Sequence, residues 1–373
     1  MNNQELFYFT GKCLMLDEHP EFLHDIREKI NANAIDWQKF VRFCSNHLIL
    51  QTIYWKFQNN QLLELLPEDL VEFLKEIYDL NKARNIQILK QITDLTEILN
   101  NGNIYPVFLK GASHLLEEIH PDIGARILSD IDFLVPEKDY FEAARLLQEG
   151  GYLMAEDTPP YIEIATMKHF PRLSKPGYPA ELEVHRLLTE TELKWFNADI
   201  INQGLKRAKS QIGCFVLSNN HQIVHNFVHS QLSNRGDDYG ALSFRDLYDL
   251  YLLSNRASLE QVLPAIQCQK KAIAYFAFAR EAFGLPETFF SQTNFAARIL
   301  SLKHTLNHRS AFFYHTHRSI HHIFHKIFKV YLVFLIKAIY SRKVRKIVFR
   351  KLTSRLWYQL FFKQYIDFFT GKT

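Results

Sequence analysis

Apolar residues recur at helical spacing through most of the first hundred positions. Ile35, Trp37, Phe40, Val41, Phe43 and Cys44 form one stripe, with Asp36 placed to cap its start. Pro67-Glu68-Asp69 opens another helix, with proline in the first turn and acids beside the positive end of the dipole. Its stripe runs Leu70, Val71, Phe73, Leu74, Ile77 and Leu80. A further stretch from Ile86 to Leu99 ends at Asn100-Asn101-Gly102-Asn103. The pattern then changes. Ile104 to Leu109 is a short run rich in β-formers, followed by Lys110-Gly111-Ala112-Ser113 and a helix predicted over 112–119. A second short apolar run, 127–135, is interrupted by Asp130 and Asp132. Residues 140–150 read as a helix closed by Gly150-Gly151. Thr158-Pro159-Pro160 and Lys175 to Pro179 bracket a hairpin-like region, and residues 180–185 alternate like a half-buried strand. Beyond Asn197 the helical period returns over 222–232, 242–253, 259–283 and nearly all of 296–369. There is no internal repeat. The expected organisation is α+β, with a helical N-terminal region (1–100), a compact α+β core (101–190), a helical lobe (191–290) and a basic amphipathic helical tail (291–373).

With 373 residues, 47% apolar and 23% charged, the chain is long enough for a real core and is neither collagenous nor disordered. Its four cysteines, Cys13, Cys44, Cys214 and Cys268, show no metal-binding spacing and read as reduced thiols. The N-terminus lacks the basic and apolar regions of a signal peptide, and no apolar run reaches the roughly 18–20 residues of a spanning helix. A cytoplasmic, soluble protein is expected. Charge is distributed unevenly. After Glu287 there are 16 Lys and Arg against a single acid, Asp367, whereas residues 1–287 carry 28 basic and 39 acidic residues. That asymmetry points to an anionic partner for the tail: nucleic acid, a phospholipid membrane surface or an acidic protein. Seven of the 17 histidines, at positions 304, 308, 315, 317, 321, 322 and 325, lie in the same segment.

Three segments of the core carry candidate chemistry. A glycine between strand and helix, as in Lys110-Gly111-Ala112-Ser113, lets backbone N–H groups approach a phosphate; an ordinary turn uses the same glycine. Asp130 and Asp132, two apart on a strand, share a face and repel. A cation relieves that repulsion, and Mg²⁺ favours a few carboxylates plus phosphate oxygens. Two solvated acids on an edge strand give the same spacing. Glu181, Glu183 and His185 share one face of a further strand. A third carboxylate beside the pair completes a site for in-line phosphoryl displacement, and a strand with one wet face is the alternative.

The order of these segments resembles the nucleotidyltransferase superfamily with the DNA polymerase β-like fold. More narrowly, it resembles a family of uncharacterised bacterial nucleotidyltransferases. The residues that carry the likeness are Leu109-Lys110-Gly111-Ala112, Arg126 four residues before Asp130, Asp130-Ile131-Asp132, Gly151-Tyr152, Glu183-Val184-His185, and Asp36-Trp37 in the N-terminal region. The chain departs from the wider superfamily in having Gly111-Ala112 before Ser113, where glycine is followed directly by glycine or serine. The resemblance implies a small mixed β-sheet between helical regions and transfer of a nucleotidyl group from an NTP to a hydroxyl, with Mg²⁺ or Mn²⁺. It implies metal binding by Asp130, Asp132 and Glu183, with Glu181 as the alternative third ligand and Glu183 also assisting deprotonation of the acceptor. Lys110, Gly111, Ser113 and Arg126 would bind the nucleotide, Lys110 serving equally well as an ion-pair partner of Asp132. His185 and Arg245 would contact substrate, although a structural strand histidine and internal Arg–Asp pairing account for them as well.

His225 and His229 stand one helical turn apart, a zinc-capable spacing without an evident third ligand, and read as a satisfied helical face. In the tail, Ile323, Phe324, Ile327, Phe328, Tyr331, Leu335 and Ile339, then Val344, Ile347, Val348, Leu352, Leu356 and Phe361, form apolar stripes between Lys and Arg. These stripes pack on the acidic body, lie on a membrane surface or bind nucleic acid. The expected function is Mg²⁺-dependent nucleotidyl transfer to a hydroxyl of a small molecule, peptide, RNA or protein. The alternatives are γ-phosphoryl transfer on the same core and a toxin-like or noncatalytic nucleotide-binding protein.

Overall fold

A computed structural model describes residues 1–154, 164–165, 167–189, 193–309, 313, 316, 318–320 and 332–355. Thr158-Pro159-Pro160 of the expected hairpin-like region lies outside the described residues, as do His315, His317, His321, His322 and His325 and the stripe positions 323–331, 356 and 361. The chain divides into two compact units, Met1–Thr305 and Leu306–Thr373.

The first unit opens with helices α1 (Asn3–Leu14), α2 (Phe22–Asn31), α3 (Trp37–Asn46), α4 (Leu50–Asn59) and α5 (Glu68–Asn101). The Asp36 carboxylate caps α3, accepting from the Lys39 N–H at 3.0 Å. Two helical stretches expected between 67 and 99 are one helix, α5, because no glycine or proline interrupts residues 81–85. Its 34 residues span about 50 Å and join two cores. Leu70, Leu74 and Tyr78 pack with α1–α4 and the later helices, while Ile88, Ile92, Leu95 and Leu99 pack beneath the sheet.

The sheet contains β1 (Val107–Phe108), β2 (Asp130–Leu134), β3 (Leu153–Met154), β4 (Leu173–Ser174), β5 (Glu181–His185), β6 (Lys206–Arg207) and β7 (Phe215–Val216). Their order is β3-β4-β5-β2-β1-β7-β6. β2 runs parallel to β5 and β1 parallel to β7, with the other pairs antiparallel. The fold is therefore α+β, a mixed seven-stranded sheet flanked by helices. β1 is shorter than the run from Ile104 to Leu109, and β6 and β7 arise beyond residue 190, where only helix was expected. Strands of two residues are too short to leave a period in the sequence.

Helix α6 (Lys110–Leu116) follows β1, and α7 (Tyr140–Glu149) follows β2. The helical lobe comprises α8 (Ala198–Asn202), α9 (Asn219–Phe227), which continues as a π-helical turn over Val228–Ser233, α10 (Phe244–Ser254), α11 (Gln269–Phe283) and α12 (Phe295–Arg309). The helix expected over 259–283 is broken at Leu263–Ala265, a 3₁₀ turn containing Pro264. In the second unit α13 (Leu332–Tyr340) and α14 (Arg342–Thr353) follow one another through Ser341. No helix among the described residues is long and apolar enough to cross a membrane.

A polar stripe on α5 fixes the approaches to both acid-bearing strands. The Asn81 amide donates to the carbonyls of Gly124 (2.8 Å) and Arg126 (3.1 Å), and that of Asn85 to Ile123 (2.6 Å) and Arg126 (2.8 Å). Between the two asparagines Arg84 holds the carbonyls of Leu128 and Pro179, and beyond them Gln91 holds that of Ala180 at 2.8 Å. Segments 123–129 and 179–180, which feed β2 and β5, thus end on one rigid rod. Replacing Asn85, fully buried, with leucine leaves two carbonyls without this donor. Asn85→Leu is expected to lower the unfolding free energy by about 2–4 kcal/mol in urea titrations.

Candidate active site

β2 and β5 pair in register, Asp130 opposite Glu181, Asp132 opposite Glu183 and Leu134 opposite His185. Because side chains alternate along a strand, all four carboxylates share one face of the sheet. The expectation that each strand has one acidic face is met, and the parallel pairing brings the two faces side by side.

Three positively charged or hydrogen-bonding groups hold this cluster. Lys110 stands where β1 gives way to α6, in a left-handed backbone conformation (φ 48°) uncommon for lysine. Its Nζ lies 2.6 Å from Asp132 Oδ1. His185 Nε2 lies 2.8 Å from the same oxygen and 3.3 Å from Glu183 Oε2. Its Nδ1 is buried with no hydrogen-bond partner among the described residues. Arg172, just before β4, reaches three acids, with Nε 2.9 Å from Glu183, Nη1 3.2 Å from Glu181 and Nη2 3.6 Å from Asp130. Nothing in the sequence singled out Arg172, since its relation to β5 depends on the β4–β5 pairing.

Electrostatics separates the acids. Burial alone would raise the Asp132 carboxyl, but the Lys110 charge and the His185 bond outweigh it and hold it well below the usual range. Glu183 is likewise lowered, burial being outweighed chiefly by the His185 bond. Asp130 is raised, by burial and by the neighbouring Asp132 charge. The oxygen donors of Asp130, Asp132 and Glu183 fit a hard divalent cation such as Mg²⁺ or Mn²⁺. Asp132, Glu183 and His185 also present ligand atoms within 4.8 Å of one another.

The helix after β1 begins at Lys110 rather than Ala112, so Gly111 and Ser113 belong to its first turn. Gly111 is there for close packing. A Cβ at this position would stand 2.3 Å from Arg126 Nη1 and 2.8 Å from Leu128 Cγ. The Ser113 hydroxyl donates to the Lys110 carbonyl at 2.9 Å.

Arg126 lines the same cavity as Lys110 and the acids, and its guanidinium is paired with a carboxylate. It is buried against Asp249 of α10, with Nε 3.0 and 3.1 Å from the two carboxylate oxygens and Nη2 2.8 Å from Oδ2. His120 Nε2 adds a contact of 2.8 Å to Asp249. Burial would raise Asp249, but Arg126 overrides it and holds the carboxyl well below its ordinary range. Burial pushes His120 down to about 4. His114, His120 and Asp249 have a metal-like grouping, but the two-pronged Arg126 pair already occupies the carboxylate.

A cavity of about 130 Å³ separates the acid strand from the helical lobe. Lys110, Asp130 and Asp132 line one side, and Gln222, His225, His229 and Arg245 the other. Residues 222, 225, 226 and 229 have the spacing of a single helical face, normally the apolar one, and here it is polar. His225 and His229 therefore line the cavity of the acid cluster. The Arg245 Nε lies 3.5 Å from Asp246.

The sequence model of a family described as uncharacterised nucleotidyltransferase matches residues 33–291, more than two thirds of the chain. The match takes in the whole sheet and the helical lobe as far as α11, and stops before α12 and nearly all of the basic tail. No curated protein and no solved structure matches the chain.

Two measurements follow from the site's charges. Lys110→Met leaves the buried Asp132 without its cation and is expected to cost about 3 kcal/mol of stability at neutral pH, read by urea unfolding. The second concerns pH. His120 binds its proton near 4 when folded and near 6.5 when unfolded; His225, also pushed well down by burial, adds a loss of the same sign. The unfolded chain therefore takes up more protons between those values, and stability falls as pH drops from about 6.5 towards 4, each histidine contributing up to about 1.4 kcal/mol per pH unit. Asp132 and Asp249 add a second loss below their unfolded value of 3.8, while Asp130, raised on folding, takes up its proton above 3.8 and opposes the histidine loss there. His120→Gln is expected to flatten the upper window only.

Proposed function

The chain belongs to the uncharacterised nucleotidyltransferase family, and from that premise we propose that it transfers a nucleotidyl group from an NTP to an acceptor hydroxyl, releasing pyrophosphate, in a divalent-metal-dependent reaction. The observation that carries this reading is the in-register pairing of Asp130 and Asp132 with Glu181 and Glu183, beside a lysine 2.6 Å from Asp132. Asp130 and Asp132 would hold Mg²⁺ or Mn²⁺, with Glu183 as the third carboxylate. Such an ion supplies charge for the phosphoryl oxygens and for the oxygens entering and leaving in line.

The chain's own residues have distinct tasks in this reading. Lys110, already beside Asp132, shares its charge with the incoming phosphates, and Gly111 and Ser113 form the wall of the cavity next to them. Arg245 approaches from the helical lobe. Glu183 takes the proton of the acceptor hydroxyl, and His185, bonded to both Asp132 and Glu183, orients the pair. Arg126 is a positioning residue. Its bond to Asp249 ties the segment leading into β2 to α10, so the acids and the opposite cavity wall keep their spacing. The acceptor is a hydroxyl of a small molecule, peptide, RNA or protein.

The test is label transfer from NTPs carrying the label at either the α or the γ phosphate, with Mg²⁺ or Mn²⁺ and cell extract as the source of acceptors. Incorporation of the α label is expected, and Asp130→Asn or Asp132→Asn should lower it by a factor of about 10³ or more. Incorporation of the γ label alone would make the protein a phosphotransferase. Nucleotide binding without variant-sensitive transfer of either label would leave a binding protein.

A further inference from the structure

The second unit has its own chemistry, independent of the site. On α13, Leu332, Leu335, Ile336, Ile339 and Tyr340 recur at helical spacing and are 48–85% exposed. Soluble surfaces rarely carry so continuous an apolar stripe without a use for it. On α14, which follows directly, Arg342, Arg345, Lys346 and Arg350 are exposed, and Phe349 is 71% exposed among them. The apolar stripe and the basic cluster thus occupy two adjoining helices. No acid lies between Thr288 and Ile366, while 15 of the tail's 16 Lys and Arg do.

We infer that α13 and α14 bind the surface of a bilayer containing anionic phospholipids. Interfacial helices combine these two features, with aliphatic and aromatic side chains entering the boundary between headgroups and acyl chains and Lys and Arg meeting the phosphates. Each half of the pattern selects the partner. Five exposed aliphatic and tyrosyl side chains on one stripe gain nothing from an RNA backbone, which rewards charge and stacking. Uniform positive charge adds nothing at a neutral apolar surface. Together they fit a surface that is apolar beneath and negative above. The association is peripheral, because no described helix is long and apolar enough to span.

The test is co-sedimentation of the full chain with phosphatidylcholine vesicles, with and without about 30% phosphatidylglycerol. Binding to the anionic vesicles is expected to be at least about tenfold tighter and to weaken as salt is raised. Leu335→Asp/Ile339→Asp should reduce it about tenfold or more. Lys346→Glu/Arg350→Glu should reduce it similarly and remove most of the salt dependence, each basic residue being worth about fivefold at an anionic surface. Circular dichroism and the urea midpoint of each variant establish that it is folded. Equal binding to the two vesicle types overturns the inference. So does full vesicle binding by the Leu335→Asp/Ile339→Asp variant. Tighter binding to poly(U) than to anionic vesicles, insensitive to the apolar substitutions, would assign the tail to RNA instead.

Discussion

Four carboxylates on two hydrogen-bonded strands repel one another, and much of the first unit is arranged around that repulsion. Neighbouring strands are about 5 Å apart, so each lateral pair costs about 3 kcal/mol at an effective dielectric constant of about 20. Lys110, Arg172 and His185 offset this cost, each at hydrogen-bond distance from at least one acid. The compensation is uneven. Asp132 has two close partners and is held low, whereas Asp130 has Arg172 at 3.6 Å and a serine, and burial with the Asp132 charge raises it. A cluster left in this state is one in which an added cation has a reason to sit beside Asp130.

Holding charges at fixed spacing requires a scaffold that does not yield, and here it is made of buried polar contacts rather than apolar packing alone. The amides of Asn81, Asn85 and Gln91 fasten the segments that enter β2 and β5 to a single helix. The Arg126–Asp249 pair fastens the same β2 segment to α10. Buried groups of this kind are expensive when any member is missing, because the remaining partner loses both water and its bond. Gly111 belongs to this scaffold as well, since its missing side chain makes room for the Arg126 guanidinium. A glycine and an arginine that resemble nucleotide-binding elements in sequence thus have structural work at the base of the site.

The two units divide the charge of the chain between them. Met1–Thr305 holds 39 acidic and 30 basic residues, and Leu306–Thr373 holds 14 basic residues and one acid. Screening confines such a field to about 10 Å, so the positive charge of the second unit acts on what lies close to it.

Much of this was readable from the residues themselves. Alternation placed Asp130 with Asp132 and Glu181 with Glu183, the Asp36 cap and the apolar stripes located the N-terminal helices, and the order of motifs pointed to the family. These features are local, fixed by the periods of strand and helix, and so survive in one dimension. The partners of the acids are another matter. Arg172 meets Glu183 only because β4 lies antiparallel to β5, Arg126 turns to Asp249 across 123 residues of chain, and His225 and His229 share a cavity with Lys110 only once α9 is laid beside β2. β6 and β7, at two residues each, draw their stability from a sheet already formed. The sequence by itself determined which side chains carry charge and which share a face. Only the tertiary structure decided which charges neutralise one another, because that depends on strand register and helix packing, which no local pattern encodes.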